Sequence, residues 1–378
     1  MYSEQAALLS RPAPSAAPAL KVAVIGHIRH PIAAPFMGGM EAHCAGLCEG
    51  LAAAGHHPVL FAPAGSDVAC EQVTICDAPY EDVLPWATWR GTPELDAYQG
   101  AAFDRALEMI AHGDFDVVHN NSLYPGLIAY AAQRTIAMVT SQHVPPFAAM
   151  RDEVGAARGL DHVRFTVTSA AQLPLWFDDV PANMVPVHNG VDCDFWRPSP
   201  ARIGRGTRIA WTGRITPNKG TALAVRAARM AGAALDIAGS VEDENYFRQE
   251  IEPMLGGAIR YRGHLEGEEL RDLVAGAAAL CVTPMWEEPF GLVAAEALAC
   301  DVPVIAFDRG AMREVVGDCG ALIPADDVDS LARALADPPR LARGKARARA
   351  QDRFCTARMI EGYVREYRLA IAGRARAA

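Results

Sequence analysis

Residues 208–220 read RIAWTGRITPNKG, and the fold turns on them. A short apolar run stops at Gly213, and a turn carrying Arg214, Lys219 and Gly220 follows. Continuous apolar runs of this length, bounded by glycine, suit strands buried on both faces of a parallel sheet. The same layout opens the chain at KVAVIG (21–26), which leads through a Gly-Gly turn into the helical pattern MEAHCAGLCEGLAAAGH (40–56). Further strands are expected at HPVLFAP (57–63), DVVHN (116–120), TIAMVTSQH (135–143) and RFTVTS (164–169), with a helix at AYQGAAFDRALEMIAHG (97–113). After 208 the pattern starts again with LDIAGS (235–240), IRYRGHL (259–265), AALCVTP (278–284) and VPVIAFD (302–308). Strands alternating with helices, twice over, predict two doubly wound α/β domains in tandem. Ligands of such sheets sit at the carboxyl ends of the strands, so the cleft between the domains is the expected site.

The boundaries follow from composition. A chain of 378 residues is too long for one ordinary core, and 51% hydrophobic content can fill two. Residues 1–20 are expected to form a disordered leader and 21–195 the first domain. The Pro/Arg/Gly-rich stretch 196–207 reads as a linker, 208–355 as the second domain, and 356–378 as a helix packing back on the first. The leader lacks the basic start and apolar core of a signal peptide, and no segment reaches the roughly 18 apolar residues of a membrane span. Nine cysteines lie scattered without a CxxC pair or metal-ligand spacing, which fits small buried residues in a reducing cytoplasm.

A net charge of −10 argues against a general nucleic-acid binder. From Arg340 onward, however, eleven basic residues face three acidic ones. A solvated helical face, an anionic membrane surface at the inner face of the membrane, and a dimer partner all fit that stretch. Lysine occurs only at Lys21, Lys219 and Lys345, so arginine abundance carries no functional weight by itself.

Three stretches carry chemistry. Gly38 and Gly39 precede a helix, where backbone N–H groups and a positive dipole end suit a diphosphate; a plain turn fits as well. The dinucleotide fingerprint would need GxGxxG directly after the strand, and neither half has it. In WTGRITPNKG, Arg214 offers a planar fork and Lys219 a compact charge at the end of a strand, a pair matched to an anion such as a diphosphate. In EEPFGLVAAE (287–296), Pro289 suits the first turn of a helix, which places Glu288 at its entrance and makes the N–H groups of Phe290, Gly291 and Leu292 free donors. Glu296 then falls among Val293, Ala294, Ala295, Ala297 and Leu298, where an unpartnered carboxylate is costly. Carboxylates accept paired hydrogen bonds from vicinal hydroxyls, which makes sugar rings natural partners. Glu287 reads as merely solvated.

These stretches together resemble the retaining family 4 glycosyltransferases, the glycosyl transferases group 1, of GT-B fold. The likeness covers nearly all of residues 21–370. It rests on GGMEAH followed by AAAGHHPVLF, on SQHVPP, VPVHNGVDCDFW and GRITPNKG, and on Glu288-x7-Glu296 followed by ALACDVPVIA. It implies two Rossmann-like domains facing across a cleft, 21–195 on the acceptor side and 208–355 binding the nucleotide sugar, and transfer of a sugar from a nucleotide-diphosphate donor such as a UDP-sugar to an acceptor hydroxyl of a glycan, glycolipid or small molecule, as in polysaccharide biosynthesis. Neither a cofactor nor a metal is expected. The resemblance implies that Arg214 and Lys219 hold the diphosphate, that Glu288 lies beside the donor sugar, and that Phe290, Gly291 and Leu292 contact sugar and phosphates through the backbone. Glu296 would bind the ribose, Gly38 and Gly39 would close over the diphosphate, His264 and Leu265 would complete the donor set, and His143 would lie near the transferring sugar. Asn189, Gly190 and Val191 fall where the chain leaves the first domain, as a hinge or a simple turn.

Two positions depart from the family pattern. Asp301 stands where glycine is common, so a non-glycine must bear a left-handed turn, and Arg313 replaces a proline before Glu314. Rival readings are a Rossmann oxidoreductase, which lacks its fingerprint here, a GT-B nucleotide-sugar epimerase or hydrolase, and a non-catalytic carbohydrate-binding relative. The epimerase should lack the Glu288/Glu296 spacing, and the non-catalytic relative should have lost Arg214, Lys219 or Glu288.

Overall fold

The computed structural model describes residues 18–197 and 206–377. The leader expected at 1–20 therefore lies outside the described residues up to 17, and the linker expected at 196–207 lies outside them from 198 to 205. Among the described residues thirteen strands form two sheets. The first holds β1 (Lys21–Ile25), β2 (His57–Pro63), β3 (Glu71–Cys76), β4 (Val117–Asn120), β5 (Met138–Gln142), β6 (Val163–Val167) and β7 (Met184–Pro186), in the order β3-β2-β1-β4-β5-β6-β7. The second holds β8 (Ile209–Thr212), β9 (Leu235–Ala238), β10 (Ile259–Tyr261), β11 (Ala279–Val282), β12 (Val304–Phe307) and β13 (Gly320–Ile323), in the order β10-β9-β8-β11-β12-β13. Every strand pair is parallel, and the order reverses beside β1 and beside β8. Helices cover both faces of each sheet, which is why the central strands bury every residue or nearly every residue.

The expected strands all form; β2 fills its whole run, and the others are one to four residues shorter than theirs. Three more, β3, β7 and β13, were not anticipated, and each is an edge strand. Helices Gly39–Ala53 and Pro93–Ala111 occupy the two anticipated helical stretches. The second starts four residues earlier than its apolar pattern, because Thr92 caps it and Pro93 takes its first position.

The long helix Thr356–Ala377 packs against Gly39–Ala53 and against β4, β5 and β6 of the first domain. Its buried stripe of Met359, Ile360, Tyr363, Tyr367 and Ala370 joins Leu47, Leu51 and Val139 in one apolar core. Glu366 on that helix, nearly fully buried, accepts from Arg164 Nε at 2.6 Å. The chain passes between the domains at Gly190, where a Cβ would meet Thr356 Cα at 2.7 Å, so glycine is required for the close approach.

Three contacts fix the domains beside this crossing. His188 Nε2 lies 2.5 Å from Glu314 Oε1, whose other oxygen accepts from Ala171 N, and Thr168 Oγ1 donates to Pro289 O at 3.0 Å. Although burial opposes ionisation of Glu314, the bonds from His188 and from these amides prevail and hold its carboxyl below the usual range. Asp301 does take a left-handed conformation, at φ 61°. The strain is offset because its carboxylate accepts from Gly344 N and Arg347 N, which ties that turn to the start of the helix Lys345–Arg353. Arg313 pairs with Asp308 at the surface.

Candidate active site

A cleft of about 2690 Å³ separates the two sheets and is lined by both domains. The carboxyl ends of β8 and β11 deliver Lys219 and Glu288 to its second-domain wall, where Lys219 Nζ lies 2.6 Å from Glu288 Oε2. The same oxygen accepts from Trp286 Nε1 at 2.9 Å, and Lys219 Nζ sits 5.3 Å from the centre of the Trp286 ring. Glu288 is only 8% exposed, so this double engagement is what makes a buried carboxylate tolerable. Trp286 was missed at the sequence level. An indole two residues before the carboxylate was the available signal.

The helix after Glu288 begins later than its proline suggested. It spans Leu292–Ala299, with Gly291 as N-cap at φ 83°. Pro289 thus belongs to the preceding turn, and Phe290 turns its ring into the core against His188 and Phe354. The first helical residues are Leu292 and Val293, which line the cleft and whose amides have no intrahelical acceptor. The turn is held from behind. Ala311 N donates to Glu288 O, and Gly310 N donates to Glu287 Oε2 at 3.0 Å. Glu287 is therefore a clamp on the turn rather than a merely solvated charge. Gly310 must be glycine, since a Cβ there would stand 2.4 Å from the Glu288 backbone.

Glu296 lies one turn into this helix and lines the same cleft, with no side-chain partner among the described residues. It is partly exposed on the cleft side but otherwise surrounded by apolar packing, and burial pushes its carboxyl up to about 7. Arg214 also lines the cleft, but its guanidinium is engaged by Glu242 at 3.0 and 3.1 Å, in a half-exposed pair. Glu242, distant in sequence from any motif, could not have been found from spacing. Leu265 lines the cleft as well, and His264 points to Glu266 at 2.6 Å.

Gly38 and Gly39 begin the helix Gly39–Ala53 on the opposite wall. A Cβ on Gly39 would lie 3.4 Å from Leu292 Cδ1, so the two helix starts meet across the cleft. Glu41, buried in the first turn near Gly38, already offsets part of that positive end. His143 is placed on the first-domain wall, where its Nε2 lies 2.9 Å from Asn121 Oδ1 and its ring packs 4.4 Å from that of His43. Behind it runs a buried polar network. His43 Nε2 lies 3.3 Å from Tyr363 OH, Tyr363 bonds Ser141, and Ser141 bonds His119 Nε2, whose Nδ1 meets Tyr367 OH. Burial pushes His143 down to about 4 and His119 to about 3, and lowers His43 strongly, so all three rings are neutral at pH 7. Asn189, Gly190 and Val191 line the cleft at the crossing.

The arginines after 340 are largely engaged by the protein itself. Arg347 donates to Trp196 O, Ala299 O and Cys193 O, Arg349 to Glu314 O and Val315 O, and Arg376 pairs with Asp161. Among the described residues no helix is long and apolar enough to cross a membrane.

Two Rossmann-like domains with a cationic, amide-rich wall facing a cleft define a glycosyltransferase of the GT-B class. The chain belongs to the family 4, group 1 glycosyltransferases: residues 37–195 match the family described as Glycosyltransferase Family 4, and residues 206–337 that described as Glycosyl transferases group 1. It is 28% identical over 317 residues to a phosphatidyl-myo-inositol mannosyltransferase of Mycolicibacterium smegmatis, covering 79% of this chain and 80% of that one. Among solved structures it is similar to AviGT4, a glycosyltransferase involved in avilamycin A biosynthesis, with a TM-score of 0.69, 26% identity and coverage of 94% and 98%. The fold is shared with Anabaena HepE, solved with UDP-glucose, at a TM-score of 0.66, 16% identity and coverage of 92% and 98%.

Proposed function

We propose that this enzyme transfers a glycosyl unit from a nucleoside-diphosphate sugar to an acceptor hydroxyl with retention of anomeric configuration. The observation that carries the reading is the engagement of Glu288 Oε2 by both Lys219 and Trp286, just before a helix whose first residues line the cleft. As the anomeric bond breaks toward an oxocarbenium-like state, negative charge gathers on the leaving diphosphate. Lys219, Arg214 and the Leu292 and Val293 amides stabilise that charge. Arg214 reaches it by leaving Glu242, an exchange of a half-exposed pair worth about 0–1 kcal/mol.

Glu288 has Oε1 free of protein partners among the described residues and takes a donor-sugar hydroxyl, while Glu296 takes the ribose. His143, neutral and fixed through Nε2, presents Nδ1 as an acceptor to a hydroxyl near the transferring sugar. On this reading Lys219 and Arg214 meet the diphosphate and turnover is expected without an added divalent cation. UDP-glucose in the related fold of HepE supports a uridine donor as the first to try. The test is nucleotide release from UDP-, GDP- and ADP-sugars in the presence of chelator, with the product's anomeric configuration read by NMR. No release from any donor, or an inverted product, would overturn the reading.

A further inference from the structure

We propose that the acceptor held against the first-domain wall is an uncharged saccharide seated at Trp86, rather than an acceptor bearing a phosphate. This rests on the glycosyl-transfer reading above and specifies its second substrate. The seat is a recess walled by the segment between β3 and the helix Pro93–Ala111, together with the loop after β4. Tyr80 forms its floor and is buried, while Trp86 stands at the rim and is 39% exposed. The two rings lie 6.4 Å apart, and Tyr124 completes the wall with its own ring stacked on Phe103 at 4.7 Å.

The rim is anchored. Glu81 Oε2 accepts from Trp86 N at 3.3 Å and from Arg29 Nε at 2.8 Å, which ties the short helix Trp86–Trp89 to the first domain's body. A large apolar ring held half in solvent by its backbone is what a sugar's C–H face stacks on. Asp96 and Gln99 line the recess beside it, and the Asp96 carboxylate has no ion pair or hydrogen bond among the described residues. A carboxylate and an amide side by side can accept from, and donate to, neighbouring hydroxyls.

Charge decides the class of acceptor. Among the described residues, the cleft's first-domain lining contains one arginine or lysine, Arg29, and Glu81 already holds it. His27 nearby is neutral, because burial and the Arg29 charge push it down to about 3. The start of the helix Pro93–Ala111 carries Glu94 and Asp96 and is capped by Thr92, so it is not an anion site either. A phosphate would meet the Asp96 carboxylate and would have to take Arg29 from Glu81, whereas a neutral saccharide needs neither exchange. The two walls thus divide the substrates: the diphosphate goes to the second domain and the neutral ring to the first.

Saturation-transfer NMR on the full chain tests this without any donor. The probes are methyl α-D-glucopyranoside, methyl α-D-mannopyranoside and maltotriose, against glucose 6-phosphate and myo-inositol 1-phosphate. The neutral probes are expected to bind, Trp86→Ala to weaken them at least tenfold, Trp86→Tyr to restore them, and Asp96→Asn to weaken them severalfold. Preference for a phosphorylated probe, no binding by any neutral one, or binding that survives Trp86→Ala would overturn the proposal. A thermal-shift series with UDP, GDP and ADP run in parallel reads the other wall. Loss of that response in the wild-type chain would count against the donor reading, while saccharide binding at Trp86 would stand on its own signal.

Discussion

The two walls of the cleft solve opposite electrostatic problems. The second-domain wall gathers charge: Lys219 on Glu288, Arg214 on Glu242, and Glu296 alone. The first-domain wall removes it. His27, His43, His119 and His143 are all kept neutral by burial, and hydroxyls of Tyr363, Tyr367 and Ser141 bond His43 and His119. The difference predicts that acid acts on them with opposite sign. A histidine whose folded pKa lies below its unfolded value contributes stability above about 6.5 and loses it as pH falls. With His143 at about 4 and His119 at about 3, the first domain should lose on the order of 5 kcal/mol between pH 7 and pH 4. Hydrogen exchange read domain by domain across that range checks it. First-domain amides that stay protected at pH 4 while second-domain amides open would break the comparison.

The next largest effect is on the charged wall. Lys219→Ala removes the cation that both neutralises Glu288 and meets the leaving diphosphate. Turnover should fall by ~10²–10³, about 3–4 kcal/mol in the transition state. Melting should also drop, because a buried carboxylate loses its partner and keeps only Trp286 Nε1. Saccharide binding at the first-domain wall should be unaffected, and a parallel loss there would show that the walls do not divide the substrates.

How far each wall could be read from sequence follows the same division. The charged wall was legible because its residues sit within short motifs at strand ends: Arg214 and Lys219 in one turn, Glu288 and Glu296 in another. The neutral wall draws His43, His119, His143 and Tyr363 from four separated elements, and no local pattern announces that a histidine will meet a tyrosine on a helix that returns from the other domain. The sheets show a similar limit. Central strands such as VVHN and IAWT are buried throughout and stand out as apolar runs, whereas the missed edges EQVTIC, MVP and GALI are half-exposed or very short. The start of the helix at Leu292 was misplaced because Pro289 fits a first turn equally well. What decided it was Gly291 at φ 83°, where a Cβ would also stand 2.3 Å from Met312 Cε.

Glu296 sharpens the acid comparison from the other side. Its folded pKa of about 7 lies above the ordinary 4.5, so between those values the folded state holds its proton longer than the unfolded chain. Stability from this group is therefore lost as pH rises from 4.5 to 7, the reverse of the histidines. Glu296→Gln should raise the melting stability at pH 8, by up to about 3 kcal/mol before the water on its cleft side reduces it, and should change little at pH 4.5. Nucleotide affinity should move the other way. It should strengthen in the wild type as the carboxyl ionises through about pH 7, and be flat with pH in the variant. A variant no more stable at pH 8 than the wild type would mean that Glu296 has a partner in solution.

The smallest expected effect concerns Glu242. Its pair with Arg214 is half exposed on both sides, so Glu242→Gln should change stability by less than about 1 kcal/mol. Its consequence for binding has a definite sign. A guanidinium that no longer has to leave a carboxylate should meet a diphosphate more readily, lowering the Kd for nucleoside diphosphates by a fewfold, and more so at low ionic strength, where the competing pair is least screened. Arg214→Lys should lose affinity instead, because a single ammonium cannot reproduce the two bonds of the fork. If Glu242→Gln weakens nucleotide binding, the carboxylate orients Arg214 toward the diphosphate rather than competing for it. The charged wall would then be preorganised, as the neutral wall is, and would not depend on an exchange of partners.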